Sequence, residues 1–109
     1  MRKNEERRAP AYSEAAFHAL RVWARMRGTM PARMNAHERQ CYLASVAALA
    51  ERSEAERGVI LDVFSQRARY VSTSLAMART AEYLGLQQEH VISVVEAVSK
   101  DVAREMDLI

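Results

Sequence analysis

The sequence predicts an all-α fold, a bundle of about five helices, on three observations. Half of its 109 residues are hydrophobic but only 6% are aromatic, a balance that favours alanine- and leucine-lined helices over sheets. Glycine and proline are scarce, at 3 and 2, so few positions interrupt a helix. Apolar residues also recur at steps of three and four rather than two. A chain of this length makes one domain and buries roughly two thirds of its unfolded surface. The domain is expected over residues 11–109, preceded by a charged arm over 1–10, MRKNEERRAP, which has no apolar period and closes at Pro10.

The first helix is expected from Ser13, read as an N-cap, with Ala16, Phe17, Leu20, Trp23 and Ala24 on one face. It ends near Gly28, with Pro31 beyond it. Asn35 with Glu38 three residues later has capping-box spacing and starts a second helix running to about Arg52. Its inward side is expected to carry Tyr42, Val46, Leu49 and Ala50. Ser53 and Glu56 repeat the capping box, so a third helix follows at once, with Val59, Ile60, Val63 and Phe64 inward. The hydroxyl and β-branched residues between Ser65 and Ser74 compete with helix and predict a break. Leu75, Ala78, Tyr83 and Leu84 are assigned to the inner side of a fourth helix, and a fifth extends into the stretch Arg104 to Ile109.

The stretch from Met77 to Val98 carries the functional signal. Ala81 is small enough for two helices to approach, and Gly85 takes the positive φ that ends one helix and turns the chain. Leu84 and Leu86 are expected to bury that corner. Val91, Val94, Val95, Val98 and Val102 then form one apolar stripe, which leaves Glu89, Ser93, Glu96 and Lys100 facing outward. The spacing is that of a helix-turn-helix, over about residues 75–106.

The run ERGVILDVF, a gap of about ten residues and the tail ARTAEYLGLQQEHVISVVEAVSKDVAREMDLI together resemble the last helical region of sigma factors. They resemble still more the small sigma-like regulators of bacteriophages and integrated elements. The resemblance covers about half the chain, from Glu56 onward. It implies a non-enzymatic transcription regulator whose last helix enters the major groove of double-stranded DNA; a cytoplasmic location is expected separately, from the lone Cys41 and an N-terminus without the apolar core of a signal peptide. Carried over, it places Gln87, Gln88, Glu89, Ile92, Ser93 and Glu96 nearest the bases, while Ala81, Gly85, Val91 and Val94 hold the turn. Lys100 is the one cation on the outward face, and further phosphate contacts would come from Arg67, Arg69 and Arg79, from Arg21, Arg25 and Arg27, or from the N-terminal arm.

Charge distribution complicates that reading. Net charge is +2, but residues 1–84 hold 14 Lys and Arg against 9 Asp and Glu, whereas residues 85–109 hold 2 against 5. The reading helix therefore lies in the acidic part, and this chain departs from typical sigma-like readers, which carry several basic residues there. Phosphate contacts supply much of any affinity for DNA. The alternative is a helical adaptor or dimerisation module whose exposed acidic helix meets RNA polymerase, another phage protein or a second copy of the chain.

Other chemistry finds little support. No apolar run reaches the roughly 18–20 residues that span a bilayer, so no membrane partner is expected. A single cysteine, Cys41, gives no disulfide framework. His37 and Cys41 are four apart on one helical face, which could begin a zinc site, yet no second pair follows, and His18 and His90 would have to converge from other helices. The reading is therefore no metal and no cofactor, with His37 exposed and the thiol partly buried. The glycines stand alone, so no phosphate-cradling loop exists. Tyr42, Tyr70 and Tyr83 are expected to be half-buried.

Overall fold

A computed structural model describes residues 10–26, 33–67 and 72–109. Among these residues the chain is all-helical: α1 (Ser13–Met26), α2 (Ala36–Leu49), α3 (Glu54–Arg67), α4 (Thr73–Leu84) and α5 (Gln88–Glu105). Most of the expected arm and the expected stop at Gly28 lie outside the described residues. No described helix is long and apolar enough to cross a membrane.

The starts of α2 and α3 follow the expected chemistry. Asn35 Oδ1 accepts from the Glu38 amide at 2.7 Å, and Glu38 Oε1 accepts from the Asn35 amide at 3.2 Å. Ser53 and Glu56 make the same reciprocal pair, at 3.1 and 3.3 Å. Each box satisfies amides that an isolated helix leaves without partners. Two boundaries differ from expectation. Ser13 is the first residue of α1 rather than its cap, and its amide bonds the Pro10 carbonyl. The second helix stops at Leu49, three residues early, because the chain must turn through residues 50–53 to present the Ser53 cap. Of the break expected between Ser65 and Ser74, residues 68–71 lie outside the described residues; on either side α3 includes Ser65 to Arg67, and Ser72 caps α4 by accepting from the Leu75 amide at 2.9 Å.

α5 is the centre of the packing, in contact with α1, α2, α3 and α4. Its valines 91, 94, 95, 98 and 102 are all buried, as the stripe predicts, and so are Val59, Ile60, Val63 and Phe64 of α3. Phe17 tilts against Phe64 with ring centroids 5.7 Å apart, which ties α1 to α3. Phe17 and Trp23 are only half-buried, while Ala16, Leu20 and Ala24 are fully inside.

Three inward assignments are corrected. On α4 the buried residues are Ala76, Thr80 and Ala81, whereas Leu75 and Tyr83 are exposed, Tyr83 to 77%. Ala76, Thr80 and Ala81 form the side of α4 that contacts α3 and α5, and Leu75 and Ala78 sit round the helix from that contact. Leu84 and Leu86 do not bury the corner; they are 41% and 37% exposed. On α2, Val46 and Ala50 face solvent, since the buried face is centred on Cys41, Ser45 and Ala48 and they lie more than a third of a turn away from it. Tyr42 is buried rather than half-buried, and Tyr70 lies outside the described residues.

Candidate functional site

The turn between α4 and α5 is fixed by backbone chemistry. Gly85 adopts φ 69°, ψ 34°, and its amide and that of Leu86 fold back onto the carbonyls of Glu82 and Ala81, at 3.4 and 2.9 Å. This crossed pair closes the helix on its own last carbonyls. A Cβ at Gly85 would meet no atom within 4 Å, so the position selects glycine for its left-handed backbone alone. Leu86 and Gln87 complete a three-residue turn, and Gln87 stands at the N-cap of α5 without a side-chain capping bond.

Every residue from Glu82 to His90 is exposed, the longest such run among the described residues. Gln88 and Glu89 of this run continue into Ser93, Glu96 and Lys100 along the outward face of α5, and Ile92 sits half-buried at its edge. These residues do share a face, as the helical spacing requires. Val91 and Val94 lie beneath it in the core, and Ala81 is buried under the turn. Arg79 is exposed on α4 and borders a shallow hollow with Asp62, Gln66, Glu82 and Tyr83. Two carboxylates and one ammonium give the α5 face a slightly acidic character.

A second cluster, not anticipated as a unit, forms between α1 and α2. The Cys41 Sγ lies 3.7 Å from His37 Nε2, and the His18 ring stacks on that of His37 with centroids 5.5 Å apart and planes 15° from parallel. The donor atoms of all three residues fall within 4.8 Å of one another. His37 and Cys41 meet through helical i, i+4 spacing, which the sequence displays. His18 joins through the packing of α1 on α2, which it does not, while His90 stays apart at the start of α5. Cys41 is fully buried rather than partly so, and His37 is exposed.

Arg25 pairs with Glu38 at 3.6 Å across the same two helices. Burial, then Arg21, His37 and Arg25, hold the His18 imidazole below its ordinary value, with Glu38 opposing them. Burial, then Glu38, pushes the Cys41 thiol above its own. Both shifts favour the neutral forms at rest.

No family model, curated protein or solved structure matches this chain.

Proposed function

We propose that the protein is a non-enzymatic DNA-binding regulator of sigma-like type, which inserts the start of α5 into the major groove. The observation that carries this reading is the exposed run Glu82–His90 on a corner held rigid by the Gly85 fold-back. A groove reader needs a helix N-terminus free of the core with its lower face anchored, and α5 has both. Gln88 has the donor and acceptor to pair with an adenine edge, and Glu89 or Glu96 accepts from cytosine N4. Lys100 and Arg79 supply phosphate contacts, while Ser93 and Ile92 complete the reading face.

The test is anisotropy of a labelled mixed-sequence duplex at several salt concentrations. A protein neutralising about two phosphates loses roughly tenfold in affinity between 50 and 200 mM salt. Salt-sensitive binding of that order is expected. Gln88→Ala should then change the preferred sequence in a selection experiment while leaving the salt dependence in place. Absence of binding even at low salt overturns the reading.

The adaptor reading is favoured by a separate observation, the exposure of Tyr83, Leu84 and Leu86 beside Glu89 and Glu96. Apolar side chains at the centre of a charged rim are the composition of a protein interface. On that reading Glu89→Lys with Glu96→Lys weakens partner binding, whereas on DNA the same pair strengthens non-specific affinity.

A further inference from the structure

We infer that His18, His37 and Cys41 form a binding site for a thiophilic late first-row metal ion, zinc(II) in the first instance, clamping α1 to α2. Three donors of the right kind, two imidazole nitrogens and one sulfur, converge from two helices within 4.8 Å. Tetrahedral zinc with bonds of about 2.0 Å to nitrogen and 2.3 Å to sulfur sets its ligands roughly 3.4–3.6 Å apart. The Cys41–His37 pair already stands at 3.7 Å, near that edge length. The His18 ring, whose donor already lies within 4.8 Å of the other two, has to turn out of its stack on His37 to close the set, and it does so as a side-chain rotation on a half-buried helix face.

The ligand set also selects the ion. One sulfur and two imidazoles suit zinc and copper, whereas calcium and magnesium demand oxygen. Three protein ligands leave the fourth position open, and the exposed edge of His37 gives water access to it. The ion replaces the thiol proton, which leaves to solvent, and takes the lone pair of one nitrogen from each ring. The thiolate formed offsets one of the ion's two positive charges. Arg21 and Arg25 add positive charge nearby, and Glu38, paired with Arg25, offsets part of it.

The site is independent of the α5 face, so its fate and that of the DNA-binding reading are separable. The experiment is titration of the full, tag-free chain with cobalt(II) under reducing conditions, followed by displacement with zinc(II). Expected are a thiolate-to-cobalt charge-transfer band, intense visible bands of tetrahedral cobalt at one equivalent, and their loss on adding zinc. His37→Gln changes an exposed side chain, leaves the helical circular dichroism unchanged and should weaken cobalt binding at least tenfold. His18→Gln should do the same. Cys41→Ser removes the charge-transfer band, and His90→Gln, which alters the one histidine outside the cluster, leaves the titration as it was. Zinc should also raise the Tm of the parent chain and not of His37→Gln. Absence of the cobalt bands from the folded parent chain overturns the proposal, as does their persistence in the His18 and His37 variants. Binding of copper(I) with no response to cobalt or zinc overturns the choice of zinc.

Discussion

Two kinds of buried hydroxyl occur in this molecule, and they differ in what their removal does. Thr80, fully buried on α4, donates to Asp62 Oδ2 at 2.6 Å and receives Gln66 Nε2 at 2.9 Å; the same Gln66 nitrogen reaches Asp62 at 2.7 Å. Thr80→Val removes both of these bonds at the α3–α4 contact while Asp62 and Gln66 keep each other, and should cost about 0.5–1.5 kcal/mol in denaturant unfolding. Ser45 and Ser99, by contrast, are buried with hydroxyl oxygens that make no hydrogen bond. Replacing either by alanine removes an unsatisfied group and improves helix propensity, so stability should hold or rise by up to about 1 kcal/mol. Neither class is visible in the sequence, where all three residues are small hydroxyls inside helices. What separates them is whether a partner helix brings a carboxylate or amide, a fact of tertiary packing.

At the scale of the element, two helices end by the same device on different residues. α4 uses Gly85, whereas α5 ends with Asp107 at φ 60°, its amide and that of Leu108 folding back onto Arg104 and Ala103 at 3.1 and 2.8 Å. Aspartate is strained in that conformation and its charge opposes the negative end of the helix dipole. Asp107→Gly should therefore raise stability by about 0.5–1 kcal/mol, read as an increase in Tm. Gly85→Val should lower it by about 1–2 kcal/mol through the backbone alone, since no neighbour crowds the new side chain. The Gly85 turn was legible because only glycine takes a positive φ at no cost; the Asp107 turn was not, because aspartate more often marks a helix start. Both capping boxes and the valine stripe were legible for a similar reason, being local patterns that one helix completes by itself. The faces of α2 and α4 were misread where the largest apolar residues were assumed to point inward. On α4 the contact is filled by Ala76, Thr80 and Ala81, and on α2 by Cys41, Ala44, Ser45 and Ala48 between Tyr42 and Leu49, so the side that a neighbour covers is decided by tertiary packing.

Across the whole molecule, polar links join parts distant in sequence. Arg52, in the turn between α2 and α3, bonds Asp101 of α5 at 2.6 Å, and Arg104 reaches the same carboxylate at 3.0 Å. Arg57 donates to the Leu49 carbonyl at 3.4 Å and to that of Arg52, holding the turn that carries the ion pair. The pair is partly exposed, so it acts more on register than on stability. The convergence of His18 on His37 and Cys41 belongs to this scale too, and no local pattern announces it. Central packing of α5 against the other four helices has a consequence in time. The helices it covers are all synthesised before it, so during translation the parts of their apolar faces that α5 covers stay bare until residues 88–105 have been added. At about 5–20 residues per second that interval is roughly 1–4 s, far longer than helix formation or collapse takes. A nascent chain of this protein therefore passes through a stage in which α1 to α4 can pack on one another while the side that α5 covers is still open to water.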